Sequence, residues 1–357
     1  MQQVDFMKFV DNFSKIKHIK SKLIFGNPEL CPNPYISIVI PTYNRPNTLI
    51  IALDSALNQI EPSCNYEVIV VDNEFSNYKT SRTEDLLKKN NNPRLLYYQN
   101  AEIYGMVNNW NRCIQLARAN WVAFLHDDDI LLPDYINRIL RLLSHKENIA
   151  GIMALFQSFN NDDDIKQSTF RHNNSFKSKL YNNLSYNKLM RLRQKDSNVM
   201  LSDIYGAPSC GSIFRKDCLI ESGGFNDSFY PSFDWFFLYK YCGKYNLYRS
   251  MERLGYYRAY DNTSSLEKTK VGFFRDALLF ADYVAKNTQI GRVMNYIFSN
   301  EQNNRILSAP FSDFVGKTIS EYFIPSEIRK RCLRGFFYPL LLKVYWNQKT
   351  LFFLLFG

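Results

Sequence analysis

Residues 121–133, WVAFLHDDDILLP, decide how the rest of the chain is read. Trp121 to Leu125 have the character of a buried strand, and three carboxylates follow almost at once: Asp127, Asp128 and Asp129. Two unit charges about 4 Å apart repel by ~1 kcal/mol in water and by ~4 kcal/mol at an effective dielectric near 20. A buried strand that ends in three such charges implies either a protonated carboxyl or a bound cation. If extended geometry continues past the strand, Asp127 and Asp129 point to the same side. A divalent ion that also holds a diphosphate wants that arrangement. The chain carries its own control. Asp162-Asp163-Asp164 lies in NNDDDIK with no strand running into it, and it reads as a solvated loop.

Working outward, Ile36 to Ile40 is a β-branched strand closed by Pro41, and Tyr66 to Val71 is a second that ends at Asp72. Leu95 to Tyr98 is a third, and Trp121 to Leu125 the fourth. Between them, Leu49, Ile50, Leu53, Ala56 and Leu57 mark one helical face, and Met106, Trp110, Cys113, Ile114 and Ala117 another. A shorter helix passes through Asp85-Leu86-Leu87. The strands are apolar throughout, as in a parallel sheet covered on both faces, so the fold class is α/β. Each strand is followed by a polar loop, and in an open α/β sheet ligands sit outside the carboxyl ends of the strands. Four such loops at one edge make a candidate site. Beyond it come a helix over DYINRILRLL, a strand from Ile149 to Phe156, and a polar tract over 157–200 without clear pattern. A loop entering a strand at 206–215, an aromatic helix at Asp234 and a strand from Leu254 to Tyr260 follow, and the remainder reads as helical.

The formal net charge of +10 points to an anionic partner. Basic residues gather at the ends, at Lys8, Lys15, Lys17, Lys20 and Lys22 and at Arg329, Lys330, Arg331 and Arg334, not on a recognisable nucleic-acid module, so nucleic acid is not the expected partner. The seven cysteines are dispersed without a CxxC pair, which argues against a disulfide framework or zinc site and for a reducing cytosol. No signal-like apolar core opens the chain, and no run of about 20 uncharged apolar residues is present, so a cytoplasmic location is expected. Residues 1–26 carry Phe6, Phe9, Val10, Phe13, Ile16 and Ile19 at helical spacing, followed by a Pro- and Asn-marked linker.

Seven segments in order resemble the family 2 glycosyltransferases of the GT-A fold, over roughly residues 35–265. They are SIVIPTYNRP, VIVVDNEFS, the stretch from Gly105 to Asn111, FLHDDD, GSIFRKDCLIESGGF, FDWFFL and YYRAYDNTS. The resemblance implies a Rossmann-like, mostly parallel mixed sheet. It divides the chain into an N-terminal helical segment and linker (1–34), a GT-A domain (35–265) and a helical C-terminal region (266–357). The implied activity moves a sugar from a nucleotide diphosphate donor, UDP-linked in this reading, to a glycan or lipid-linked acceptor with inversion.

Position by position, the resemblance puts Pro41, Thr42, Tyr43 and Arg45 along the base and ribose, with Asp72 on the base and Asn73 and Glu74 beside it. It puts Asn111 near the nucleotide, Asp127 on ribose or metal, Asp128 in the donor site, and Asp129 as principal ligand of Mn2+ or Mg2+. Asp234 falls where the family keeps its base, and Arg258 and Ser264 fall in a segment near the diphosphate. The chain departs from the family pattern at His126, where an Asp is common, and at Asn120, Phe233 and Tyr260. On its residues alone, Asp234 is equally read as a helix cap, Asp72 as a turn cap, and His126 as a structural side chain. A fold that binds nucleotide sugar without turnover is the competing function.

The aromatic, Lys-punctuated end from Gly335 has two readings. It is a helix packed on the domain, or a segment that docks on an anionic membrane with its lysines reaching water, in keeping with a peripheral location on the inner face of the cell membrane.

Overall fold

The computed structural model describes residues 7–74, 81–159, 189–192 and 210–260, with scattered positions between 266 and 276. The expected C-terminal helical region, the Asp162 to Asp164 loop and Ser264 lie outside the described residues.

Ten strands form one sheet, in the order β1-β4-β3-β2-β5-β9-β7-β10-β6, with β8 on the far side of β10. Its centre is parallel: β2 (Ile36–Thr42), β3 (Tyr66–Asp72), β4 (Leu95–Asn100) and β5 (Trp121–Phe124) run the same way. β9 (Ile213–Arg215) runs antiparallel between β5 and β7 (Gly151–Phe159). β10 (Leu247–Arg258) is parallel to β7 and pairs antiparallel with β6 (Ile130–Leu131) and β8 (Leu189–Arg191).

The apolar strands are fully buried because each alternates between two cores. Ile36, Ile38 and Ile40 of β2 and Val68 and Val70 of β3 face α2 (Pro46–Leu57) and α5 (Tyr135–Leu143). Val39, Ile69 and Val71 face α4 (Met106–Leu116), α6 (Lys216–Glu221) and α7 (Phe233–Lys244) on the other side. A short α3 (Arg82–Leu87) completes the first face, its N-terminus capped by Ser81 Oγ accepting from the Glu84 N–H. From β2 the chain steps outward to β3 and β4, then returns through α4 to β5 on the opposite side of β2. The switch in direction opens a crevice at the carboxyl ends of β2 and β5.

The N-terminal segment differs from expectation. Its helix, α1, covers only Asn12–Lys15, and Ser21–Phe25 is an edge strand, β1, antiparallel to β4. The spacing of Phe9, Phe13 and Ile16 suits a helix, but pairing along the open edge of β4 satisfies the backbone of the residues that follow. Similarly, β10 begins seven residues before Leu254, because Leu247 to Arg249 pair with β7 and β8.

One buried ion pair ties this edge to the centre. Glu67 is fully buried in β3 and accepts from Ser37 Oγ at 2.6 Å, from the Arg118 N–H at 2.9 Å and from Arg118 Nε at 2.6 Å. The same guanidinium donates to the carbonyls of Pro28 and Cys31, holding the linker against the sheet. Breaking a buried pair leaves an uncompensated charge and costs about 3–5 kcal/mol, whereas replacing both partners by apolar groups is far milder. Arg118→Met is therefore expected to lower stability by about 3 kcal/mol, near the bottom of that range because its side chain is 30% exposed. The double variant with Glu67→Met should recover much of the loss. Urea unfolding of the three proteins measures both, and equal losses for the single and double variants would show that the ion pair is not the fastening.

Candidate active site

The crevice between β2 and β5 collects the acidic run, but not in extended form. Asp127 and Asp128 form a turn after β5, and the Asp129 N–H donates back to the His126 carbonyl at 3.3 Å. The run is a turn and not a continued strand, so the extended geometry that would put Asp127 and Asp129 on one side is absent. A turn at this point lets β6 reverse and pair with β10, which a continuing strand would prevent.

Each carboxylate has its own partners. Asp127 accepts from Thr42 Oγ1 at 2.8 Å and from Arg45 Nη1 at 3.3 Å. Arg45 Nη1 also reaches Asp128 Oδ2 at 2.7 Å, so one guanidinium bridges two acids. Asp129 is fully buried; its Oδ1 accepts from the Arg258 N–H at 2.9 Å. Its Oδ2 lies 2.9 Å from His126 Nδ1 yet receives no well-directed hydrogen bond from the described residues. Burial pushes the Asp127 carboxyl up to about 6, helped by the Asp128 charge and opposed by Arg45, Thr42 and His126. Burial and the Asp129 charge raise Asp128 as well. Burial disfavours a charged His126, but Asp129, Asp128 and Asp234 outweigh it and push the imidazole up to about 9.

His126, Asp128 and Asp129 each offer a ligand atom, all within 4.8 Å of one another. Asp127, held by Thr42 and Arg45, is not one of this set. Two carboxylates and one imidazole, with a buried oxygen lacking a directed donor, fit a divalent cation. A proton on His126 and a cation are alternative ways to neutralise the same two carboxylates. His126, read from the sequence as a structural side chain, lies against Asp129, as its place directly before the triple allows.

Asp234 sits in the first turn of α7, not at its cap: Ser232 holds the N-cap position, and Asp234 Oδ1 accepts from the Trp235 N–H at 3.0 Å. Burial pushes its carboxyl up to about 6, against the lowering effect of the His126 charge and that N–H. The neighbouring Phe233 links it to the acidic turn. Trp110 of α4 joins the two, its ring stacked on Phe124 at 5.3 Å, edge-on to Phe233 at 5.2 Å and tilted against His126 at 5.2 Å.

Other expected contacts are placed differently. Asn111 is fully buried, and its amide is taken up by Phe225, with Nδ2 donating to the carbonyl at 2.7 Å and Oδ1 accepting from the N–H at 2.8 Å. A Cβ on Gly224 would lie 2.5 Å from Asn111 Oδ1, so the Gly-Gly turn is what lets this clamp close. Asn111 thus positions the segment leading to α7, with both ends of its amide engaged by the Phe225 backbone. Asn73 accepts from Asn100 Nδ2 and from the Tyr104 N–H, in a buried asparagine cluster. Pro41 and Thr42 end β2 inside the crevice, and Tyr43 stands 51% exposed at its rim, a surface on which a base could stack. Arg258 is buried between the rings of Phe159 and Tyr260, donates Nε to the Asp128 carbonyl at 3.0 Å and bonds the Tyr260 hydroxyl. Tyr260 is therefore held by Arg258 as a support for the acidic turn.

With the sheet, the switch-point crevice and the acidic turn in place, the class is an open α/β fold with a ligand crevice at the carboxyl ends of its strands. The sequence model for Glycosyl transferase family 2 matches residues 37–221, and the chain belongs to that family. It is 28% identical over 199 residues to the GalNAc(5)-diNAcBac-PP-undecaprenol beta-1,3-glucosyltransferase of Campylobacter jejuni, covering 55% of this chain and 56% of that one. Its fold is similar to S. aureus TarS 1-349 in complex with UDP-GlcNAc, with a TM-score of 0.53 at 16% identity over 84% of this chain and 79% of that one. It is also similar to the mannosyltransferase PcManGT of Pyrobaculum calidifontis in complex with GDP-Man and Mn2+, with a TM-score of 0.50 at 13% identity over 88% and 87%. The fold is thus of GT-A type. The chain spans about half the length of the curated relatives it matches.

Asp72, at the end of β3, is fully buried, and its carboxylate accepts from Tyr97 Oη at 2.7 Å, from Ser81 Oγ at 3.3 Å and from the Glu74 N–H at 2.9 Å. Burial nevertheless pushes it up to about 6. Because the folded value is raised, the unfolded chain ionises first, so this group costs stability progressively from about pH 4 to about pH 6 and fully above that. Asp72→Asn is expected to stabilise the protein at pH 7.5 by about 1–3 kcal/mol and to have almost no effect at pH 4. Denaturant melts at the two pH values decide it. A loss at pH 7.5 would mean that the ionised carboxylate is a structural necessity.

Proposed function

We propose that the chain is an inverting, metal-dependent glycosyltransferase that takes a UDP-linked sugar and extends a glycan or lipid-linked acceptor in surface polysaccharide biosynthesis. The observation that carries this reading is the pairing of a cation-competent acidic turn with a separate half-buried acid, Asp234, whose neighbour Phe233 and His126 both pack on Trp110. An inverting transfer needs a group to stabilise the departing diphosphate and a base for the acceptor hydroxyl. The relatives support the substrates: the Campylobacter enzyme's name specifies an undecaprenol-linked acceptor, and the two structural neighbours hold nucleotide sugars.

Asp128 and Asp129, with Arg45 beside them, would receive the diphosphate end of the donor. A divalent cation held there supplies charge neutralisation as the diphosphate leaves. Thr42 and Asp127, bonded to each other, would meet the ribose, and the exposed Tyr43 would offer its face to the base. Asp234 accepts the proton of the acceptor hydroxyl as that oxygen attacks the anomeric carbon from the face opposite the leaving group. With its carboxyl pushed up to about 6, Asp234 is ionised at neutral pH yet remains a stronger base than an exposed aspartate. The competing reading, binding without turnover, has no use for an acid held at that cost.

Two outcomes are expected. Asp234→Asn keeps UDP affinity but lowers turnover by at least the ~10²-fold typical of a lost base. In the unaltered enzyme, kcat/KM falls as pH drops through about 6, where Asp234 takes up its proton. Screening UDP-sugars for Mn2+-dependent hydrolysis supplies the assay, and isothermal titration with UDP supplies the affinity. Unchanged turnover in a folded Asp234→Asn protein would sink the base assignment.

A further inference from the structure

We infer that Asn12, in the N-terminal segment from Lys8 to Lys15, is a positioning residue for Asp234: it fastens the backbone turn on which the aromatic support of α7 is built. The inference rests on Asp234 acting as the base, as proposed above, and adds a segment on which the reaction depends at a distance. Both that segment and the turn lie outside the stretch that the family model matches.

The turn is Gly223-Gly224, between α6 and α7, and both glycines have positive φ, 84° and 70°. The Gly223 carbonyl accepts twice from one residue, from the Asn12 N–H at 3.0 Å and from Asn12 Nδ2 at 2.9 Å. Asn12 is buried, and its Nδ2 also reaches the Val10 carbonyl at 3.2 Å, closing the segment on itself. The fit leaves no room for a side chain on the turn. A Cβ on Gly223 would lie 2.1 Å from the Val10 carbonyl oxygen, and one on Gly224 would lie 2.9 Å from the Phe13 ring. The next residue, Phe225, has its N–H and carbonyl taken by Asn111. Two elements, the N-terminal segment and α4, therefore grip the turn together.

Aromatic contacts carry that grip to α7. The Phe225 ring stands edge-on to Phe233 at 5.5 Å and tilted against Phe237 at 4.5 Å. Phe233 directly precedes Asp234, whose Oδ1 accepts from Trp235 of the same helix, so the carboxylate moves with α7. The segment also reaches α7 directly. Lys240 Nζ donates to the Lys8 carbonyl at 3.2 Å and lies 5.3 Å from the centre of the Phe9 ring. Close-packed interiors transmit strain, and a misplacement of about 1 Å caused far from the chemistry can cost ~10²-fold in rate.

The test compares the full chain with Asn12→Ala, Asp234→Asn and the double variant, each shown to be folded by its thermal melt. Turnover is hydrolysis, with Mn2+, of the UDP-sugar cleaved fastest in the screen above, and calorimetry gives the affinity for UDP. Asn12→Ala is expected to lower kcat about tenfold and to leave UDP affinity unchanged. In the Asp234→Asn background the same change is expected to cost less than about twofold, because no base is left to position. Lys240→Met cuts the second tie, is expected to repeat the pattern at smaller amplitude, and carries the test if Asn12→Ala does not fold. An unchanged kcat, a parallel loss of UDP affinity, or an equal loss in both backgrounds overturns the inference and leaves the base assignment standing. Unchanged turnover in Asp234→Asn overturns both.

Discussion

Three successive carboxylates held within one turn at the end of a buried strand are the constraint on which this structure depends. At ~4 kcal/mol for each close pair at an effective dielectric near 20, their repulsion would open the turn unless opposing charge were built around it. The fold supplies opposing charge and hydrogen-bond donors from four places. Arg45 comes from the loop after β2, His126 from the end of β5, the Arg258 N–H from the end of β10, and the Thr42 hydroxyl from β2 itself. These groups converge only because β5 lies beside β2, with β10 brought across by its pairing with β6. The site and the topology are therefore one problem: the strand order that creates the crevice also brings in the charges that make it tenable.

This explains what could be read from the chain. The parallel centre of the sheet was legible because its strands are continuous apolar runs, and the acidic turn because three aspartates after such a run demand compensation. What compensates them was not legible, since Arg45 and Arg258 are separated by more than two hundred positions and meet only through the sheet. Asn111 shows the same limit. The family resemblance put it near the nucleotide, but its partner is the Phe225 backbone, 114 residues away, reached through a Gly-Gly turn at positive φ. Glu67 was hidden within a run that otherwise reads as apolar, because its neutraliser Arg118 stands 51 residues further along.

The N-terminal segment failed for a different reason. Its helical spacing is real, and Phe13 packs against the core near Gly224, but periodicity does not count backbone hydrogen bonds. An open edge at β4 offers Ser21 to Phe25 a ladder that a short amphipathic helix cannot match. Once there, Ser21 Oγ donates to Asn100 Oδ1 at 2.7 Å, and Asn100 in turn bonds Asn73 and Asn109. A segment that reads as an appendage thus braces the loop after β3, which the donor base would approach.

Four acids held wholly or half inside the described fold, Glu67, Asp72, Asp127 and Asp234, show a contrast between scaffold and site. Glu67 is buried completely and met by a guanidinium, a hydroxyl and a backbone N–H, all satisfied within the fold. Asp72, Asp127 and Asp234 are each pushed up to about 6 by burial that their partners do not offset. For each, the folded form holds its proton to a higher pH than the unfolded chain does, so ionisation above pH 6 is a net cost to folding. Amides in their place would fill the same space without that cost. The three costs fall at the carboxyl ends of β3 and β5 and in the first turn of α7, around the crevice and away from Glu67. Strain of this kind is relieved only when something binds that the folded protein alone does not contain, which is what a site for a cation, a nucleotide and an acceptor hydroxyl requires.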